Sequence, residues 1–223
     1  MKNFVLGFAA VAALSAGAHA AVLANWTFET SVPTTAGPFA AEAGINAASS
    51  QALGNTGGTY SNPVGNGTGE SFSSNGWDVG DYYQFTTSTT GYEDVVFSFD
   101  ANGSGTGPRD FKVAYSTNGT TFTDVGTYSI PSGITWSAGA ADATGTTSFS
   151  FDLSAVAALE NASTIYLRVV DDSTTSINGS TVASGGTSRI DNVVISASVV
   201  PEPATLGLLA GMGVVALRRR SAR

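Results

Sequence analysis

The chain has 223 residues, of which 17 are acidic and nine are basic, with a single histidine and no cysteine. Glu202, Lys2 and four C-terminal arginines lie outside residues 21–200, which leaves that part with 16 acidic residues, four basic residues and a net charge of −12. Without cysteine, and with His19 as the only histidine, disulfides, Ser-His-Asp and Cys-His catalysis and zinc sites built from these ligands are excluded. The negative charge argues against nucleic acid as a direct ligand and is compatible with neutral polysaccharide, a divalent cation or a basic partner.

The first 20 residues predict an export signal. Lys2 provides the charged start, an apolar stretch follows from Phe4 to Leu14, and Ala18-His19-Ala20 forms a small-x-small cleavage site. Cleavage after Ala20 removes the N-terminal signal helix together with the histidine. We therefore expect an exported mature protein that begins at Ala21.

Residues 21–199 are predicted to form one all-β domain, an antiparallel β-sandwich or jelly roll with at most one short helix. The basis is period-two alternation of β-branched and aromatic residues between clusters of Gly, Asn, Asp and Ser. Residues 31–75 alternate weakly and are expected to be irregular or to form short strands. A short helical turn is expected at 152–159. The expected strands lie at 22–28, 77–86, 92–101, 110–116, 121–125, 126–130, 146–151, 164–171 and 188–198.

Two local patterns make sharper predictions within this domain. In the first strand, Val22, Ala24, Trp26 and Phe28 are expected to share one face, because side chains alternate along a strand. Further along, Asn118-Gly119 lies between two alternating runs and predicts a two-residue type I′ hairpin.

Residues 200–223 combine three features of a sorting and anchor segment. The motif Pro201-Glu202-Pro203 precedes an apolar run of 14 residues, Ala204 to Leu217, and the basic residues Arg218, Arg219 and Arg220 follow it. The run is shorter than the roughly 20 residues that cross a bilayer core as a helix. Its arginines favour the cytoplasmic side of the membrane. The residues predicted to contact lipid in this hydrophobic helix are Ala204, Leu206, Leu208, Leu209, Val214, Val215 and Leu217.

This segment resembles the PEP-CTERM sorting signal of Gram-negative bacteria. The resemblance implies an exosortase-type sorting protease as a partner. It also implies an intermediate anchored in the inner membrane, followed by release to the cell surface or the exopolysaccharide matrix.

The central domain carries a second resemblance. The runs Gly107 to Gly119, Asp152-Leu153-Ser154 and Gly186 to Val193 resemble bacterial extracellular jelly-roll modules across about residues 77–198. The resemblance implies a sandwich of the carbohydrate-binding or adhesion type, and it transfers no catalytic residues.

Candidate ligand residues are few in this composition. Trp136, Tyr82 and Tyr83 are candidates for an exposed platform on which sugars stack, with burial in the core as the alternative for each. Asp171 and Asp172 are weak candidate donors for a structural Ca²⁺, which needs only oxygen ligands, with exposed loop acids as the alternative. No other cofactor is expected.

Two Arg/Asp pairs also have two interpretations. Arg109-Asp110 and Arg189/Asp191 fit a polar ligand site at one end of the sandwich. They also fit structural ion pairs that tie strands together, which is the more common use of arginine.

The sequence thus favours an exported, non-catalytic matrix or surface protein that binds polysaccharide. One alternative is a carboxylate-dependent glycoside hydrolase or lyase, which needs two suitably spaced acids. A second alternative is a structural biofilm or adhesion protein that binds other proteins.

Overall fold

The computed structural model describes residues 20–200, which form two six-stranded antiparallel sheets packed face to face. The predicted all-β sandwich is confirmed. The first sheet has the order β10-β7-β12-β5-β4, with β1 also beside β12, and the second has the order β2-β3-β6-β11-β8-β9. The strands are β1 Ala20–Trp26, β2 Phe39–Ala40, β3 Gln51–Leu53, β4 Tyr60–Ser61, β5 Phe72–Ser74, β6 Tyr82–Thr87, β7 Tyr92–Gly103, β8 Asp110–Ser116, β9 Thr123–Ser129, β10 Ser148–Asp152, β11 Ile165–Asp171 and β12 Ser188–Val199.

Helical structure within residues 20–200 is limited to two 3-10 turns, Ala47–Ser49 and Ala157–Leu159. The second falls inside the predicted helical turn, where the Asp152 carboxylate accepts a hydrogen bond from the Ser154 N–H at 2.9 Å. No helix in this range is long and apolar enough to cross a membrane. The predicted signal helix and the hydrophobic helix at 204–217 lie outside the described residues.

The core between the sheets is built mainly from aromatic and β-branched side chains. Strand β11 shows how the sequence produces it, since Ile165, Leu167 and Val169 are buried and the residues between them are only half-buried. Phe85 of the second sheet meets Phe97 of the first at 5.8 Å between ring centroids. Such tilted ring contacts recur through the core and add to the burial of apolar area.

The prediction that Val22 shares the buried face of strand β1 was wrong. Val22 is 42% exposed, whereas Leu23, Ala24 and Trp26 are fully buried. The register against β12 shifts between Val22 and Ala24. Because a bulge of one residue reverses the side chains that precede it, Leu23 replaces Val22 in the core. Phe28 lies beyond the strand at a φ of 59° and is also buried.

The connection between β8 and β9 is longer than the predicted two-residue hairpin. β8 ends at Ser116 and β9 begins at Thr123, and of the intervening residues only Gly119 has a positive φ, +73°. A type I′ turn needs positive φ at both central residues. Here the Asn118 Oδ1 instead accepts the backbone N–H groups of Thr120 and Thr121, each at 2.9 Å.

Two further strand boundaries differ from the predicted ones. The expected strand at 77–86 begins only at Tyr82, since Trp77 lies in the preceding connection. The two strands expected at 121–125 and 126–130 are one continuous strand, β9.

The two termini of the domain leave from the same end. Ala20 pairs with Ser198, and Val199 pairs with Tyr92. We call this the proximal end, because the tail continues from it. Strand β12 spans 12 residues, about 40 Å, and Ser188 at its start marks the opposite, distal end.

Candidate functional site

The second sheet presents its outward side chains on an open face. On β11 the inward residues alternate with Tyr166, Arg168 and Val170. Arg168 pairs with Gln84 of β6 and with Ala114 of β8, and Val170 pairs with Tyr82. Because paired residues share a face of the sheet, these side chains are neighbours there. We call Tyr82, Gln84, Tyr166, Arg168 and the adjacent loop residue Phe122 the outer-face cluster.

Arg168 is held at the centre of this cluster by two aromatic rings. Its guanidinium carbon lies 3.6 Å from the ring centroid of Tyr82 and 3.7 Å from that of Phe122. Two rings at such short distances cannot occupy the same side, so the guanidinium lies between them. Cation–π attraction on both faces fixes the plane of the group. Partial burial lowers the pKa of Arg168, but the group stays protonated at neutral pH.

Gln84 sets the orientation of that plane. Its Oε1 accepts a hydrogen bond from the Arg168 Nε at 2.9 Å, and the Gln84 side chain is itself only 8% exposed. A guanidinium carries five N–H donors, and this bond uses one of them. The terminal nitrogens of Arg168 have no hydrogen-bond partner among residues 20–200.

Arg168 differs in this from the other cations of the domain. The Arg109 Nε lies 2.9 Å from the Asp110 carboxylate, and the Lys112 Nζ lies 3.2 Å from Asp124 and 3.4 Å from Asp172. The fourth cation, on β12, donates to a backbone carbonyl at 2.8 Å. Within the described residues no carboxylate is within salt-bridge distance of Arg168, so its charge faces solvent without a partner.

The long β8–β9 connection completes the cluster. A Cβ placed on Gly119 would lie 3.1 Å from the Tyr166 Cζ, so the turn rests directly on that ring. Three residues later the same connection brings Phe122 onto Arg168. The sequence Asn-Gly marks a turn here, but its length and the position of Phe122 depend on the hydrogen bonds of Asn118.

The three predicted sugar-stacking residues occupy different environments. Tyr82 belongs to the outer-face cluster. Tyr83 faces the core, where it is 1% exposed and its hydroxyl donates to the Ser188 carbonyl at 2.9 Å. Burial raises the pKa of Tyr83 far above its ordinary value.

Trp136 is 2% exposed and does not form the expected surface platform. Its Nε1–H donates to the Thr147 Oγ1 at 3.0 Å, and the Arg189 guanidinium lies 4.8 Å from the ring centroid. The indole thus anchors the long β9–β10 connection against the outer side of the first sheet. Thr135 and Ser137 flank it in a Gly-rich stretch, which favoured exposure, but this stretch belongs to a loop that folds back onto the sheet.

Asp171 and Asp172 do not converge on one position. Asp171 is 1% exposed, whereas the Asp172 Oδ1 pairs with Lys112 on the outer face. Burial first, and then the charges of Asp81, Asp110 and Asp172, raise the pKa of Asp171 to about 6. No group of three or more acidic, His or Cys side chains among residues 20–200 is arranged to hold a metal ion.

The two Arg/Asp pairs form different interactions. Arg109 and Asp110 form the ion pair described above, and that hydrogen bond is the main reason why the pKa of Asp110 falls to about 2. Asp191 instead accepts the Asn66 N–H at 2.9 Å and the Thr68 hydroxyl at 2.6 Å. It is fully buried, which raises its pKa to about 6. Asp191 therefore anchors the 62–71 connection between β4 and β5 to β12.

Comparison with solved structures gives distant similarities. The chain is similar to the tandem CBM22 domain from Paenibacillus barcinonensis Xyn10C, with 16% identity, a TM-score of 0.46, and coverage of 85% of this chain and 48% of that chain. It is similar to the K2 cleaved adhesin domain of Lys-gingipain, with 14% identity, a TM-score of 0.41, and coverage of 77% and 97%. It is also similar to the carbohydrate-binding module CBM29_1 from Piromyces equi, with 11% identity, a TM-score of 0.40, and coverage of 81% and 91%.

No curated protein matches the chain in sequence. A family model does match at the C-terminal end, where residues 199–221 fit the PEP-CTERM protein-sorting motif. The match begins one residue before the predicted segment and ends two residues before the C-terminal Arg223. It covers the Pro-Glu-Pro motif, the apolar run and the first three arginines, so this chain carries a PEP-CTERM sorting signal.

Proposed function

We propose that the exported domain binds polysaccharide, without catalysis, on the outer face of its second sheet. The observation that carries the proposal is Arg168, which is clamped between Tyr82 and Phe122 while its terminal nitrogens have no partner among residues 20–200. A side chain that is ordered in advance and left unsatisfied loses little entropy when a ligand binds.

The chemistry of the cluster suits a sugar. Pyranose rings present C–H faces that pack on aromatic rings and hydroxyl groups that accept hydrogen bonds from planar donors. Tyr82, Tyr166 and Phe122 supply the rings, and Arg168 supplies the donors. A few convergent polar groups within a largely apolar surface are typical of ligand sites.

The acids on this face favour binding over hydrolysis. Asp124 and Asp172 both pair with Lys112, and an ion-paired carboxylate is a poor general acid. The two carboxyl groups with a pKa of about 6, Asp171 and Asp191, are both at most 1% exposed. A glycosidase needs an acid and a second carboxylate on either side of the scissile bond, in contact with substrate.

The sorting signal supplies the location in this proposal. An exosortase-type protease would recognise the Pro201-Glu202-Pro203 segment while the apolar run holds the chain in the inner membrane. The protein then reaches the cell surface or the extracellular matrix. The outer-face cluster lies along the side of the domain, so an anchor at the proximal end leaves it free to bind.

The experiment is a glycan array probed with the mature protein, followed by titration of the strongest ligand. We expect Phe122→Ala to weaken binding at least tenfold, because it removes one of the two rings that hold Arg168. Ile45→Ala is the matched control, since Ile45 is an exposed apolar residue (60%) elsewhere on the domain.

Three outcomes contradict the proposal. Equal losses for Phe122→Ala and Ile45→Ala would place the site elsewhere. New reducing ends in the bound glycan, abolished by a single Asp→Asn change, would indicate a hydrolase. Self-association without glycan binding would indicate a structural matrix protein.

A further inference from the structure

The outer-face cluster carries a positive charge that binding of a neutral sugar does not require. Within residues 20–200, Arg109 and Lys112 pair with carboxylates and Arg189 donates a terminal N–H to a backbone carbonyl, whereas Arg168 has only the neutral Gln84 as an acceptor and keeps both terminal nitrogens unpaired. Removing a cation partly from water without a counter-ion costs free energy. A ligand that brings a negative charge would offset this penalty.

The unpaired nitrogens of Arg168 determine which kind of anionic group can bind there. Gln84 occupies Nε, so the two terminal nitrogens remain for an approach end-on to the guanidinium. Two parallel N–H donors match the two oxygens of a carboxylate in a bidentate contact.

The two rings restrict the ligand to a thin layer. With ring centroids at 3.6 and 3.7 Å on opposite sides of the guanidinium, the space in its plane is one planar group thick. A carboxylate fits when it is coplanar with the guanidinium. A tetrahedral sulfate or phosphate ester is thicker than a carboxylate and fits this planar space less well.

The local charge on this face admits an anion even though the domain is acidic. The nearby carboxylates Asp124 and Asp172 are both neutralised in part by Lys112, at 3.2 and 3.4 Å. At physiological ionic strength, charges beyond about 8 Å are largely screened when they are exposed. Within the described residues no carboxylate lies within salt-bridge distance of Arg168, so the positive charge of the cluster itself is not paired.

We infer that the ligand of the outer-face cluster is an acidic polysaccharide, whose uronic acid carboxylate forms a bidentate contact with Arg168. This inference rests on the proposed function, because it names the sugar class bound by the same site. It assigns Arg168 as the residue that determines specificity, and Gln84 as the residue that positions it.

The test compares acidic glycans with their uncharged forms. Polygalacturonate and alginate oligosaccharides are titrated against the mature protein beside carboxyl-reduced samples of each, in which the carboxylate is replaced by a hydroxymethyl group. We expect at least one acidic glycan to bind tenfold or more tightly than its reduced form. Arg168→Gln should bring that ratio close to one.

Arg168→Lys separates charge from geometry. Lysine keeps the positive charge but lacks the planar pair of donors, so it should recover only a minor part of the preference. Arg109→Gln removes an arginine that is already paired with Asp110, and it should leave the ratio unchanged. Circular dichroism of each variant shows whether the sandwich is intact.

The outcomes distinguish this inference from the proposed function. If neither acidic glycan is preferred over its reduced form, while Arg168→Gln weakens binding of neutral glycans, the inference fails and polysaccharide binding at this face stands. If Arg168→Gln alters no glycan binding at all, both fail.

Discussion

At the scale of single residues, an aromatic ring can contact a ligand only if it lies on the surface of the sheet and is not packed in the core. Tyr82 and Tyr83 are adjacent in sequence and lie on opposite sides of β6, so only Tyr82 reaches the outer-face cluster. Arg168 depends in the same way on its neighbours. Its position follows from one hydrogen bond and two ring contacts rather than from charge pairing.

The hydrogen bond from Arg168 to Gln84 predicts a graded effect on binding. Gln84→Leu keeps the volume of the side chain and removes the acceptor for the Arg168 Nε–H. We expect affinity for the glycan ligand to fall about threefold to tenfold, since a net hydrogen bond contributes about 0.5–1.5 kcal/mol. Isothermal titration calorimetry measures this, and an unchanged affinity would show that Gln84 does not position the guanidinium.

The burial of Trp136 predicts a loss of stability and not of ligand contact. Trp136→Ala should lower the free energy of unfolding by about 3–5 kcal/mol, because it leaves a cavity and removes the hydrogen bond from the indole to the Thr147 hydroxyl. Urea unfolding checks the value, with the milder Trp136→Phe as a comparison. Loss of glycan binding with unchanged stability would instead mean that the indole is a sugar platform.

At the scale of elements, the β8–β9 connection links backbone conformation to the site. Gly119→Ala places a Cβ at a φ of +73° and 3.1 Å from the Tyr166 ring. A positive φ alone costs a residue with a Cβ about 1–2 kcal/mol. We expect a further loss of glycan affinity, because the turn that carries Phe122 must move away from Tyr166.

A matched variant separates the two effects. Gly133 has a φ of +81°, and no atom lies within 4 Å of the position that a Cβ would take there, so Gly133→Ala imposes backbone strain without crowding. It should destabilise the domain and leave glycan binding intact. Equal binding losses in both variants would mean that general destabilisation, and not the position of Phe122, governs affinity.

The elements differ in how far the sequence predicted them. β8 occupies the predicted residues 110–116, because Phe111, Val113 and Tyr115 recur at every second position between clear turn signals. The bulge in β1 was missed, since it depends on pairing with β12, which lies far away in sequence. Arg168 was missed for a related reason: it lies on the outward positions of a predicted strand, but its ring partners come from β6 and from a loop.

At the scale of the whole molecule, the buried acids determine how stability depends on pH. The pKa values of Asp171 and Asp191 rise to about 6 in the folded state, so their burial favours folding when they are protonated. This contribution is lost as pH rises from about 4 through 6. Glu42 and Asp110 have folded pKa values of about 2, and their contribution is lost as pH falls from about 5 toward 2.

The two opposing trends predict a stability maximum near pH 4–5. Between that maximum and pH 7 the free energy of unfolding should fall by roughly 1–3 kcal/mol. Urea titrations monitored by tryptophan fluorescence at several pH values measure it. Stability that increases steadily from pH 3 to pH 7 would contradict the assignment of buried, protonated acids.

The arrangement of the ends predicts processing that spares the domain. Both termini of the sandwich lie at the proximal end, so cleavage near Pro201 removes the tail without disturbing the strand pairing of β12. Mass spectrometry of the exported protein should show the loss of the C-terminal arginines. Arg223 still attached in the exported form would count against cleavage.

The central claim is that Arg168 on the outer face of the second sheet binds polysaccharide. The most direct measurement is affinity electrophoresis of the mature protein and its Arg168→Gln and Arg109→Gln variants through gels that contain the glycan ligand. We predict that Arg168→Gln is retarded much less than the wild type, while Arg109→Gln is retarded like the wild type. Equal retardation of all three proteins would contradict the claim.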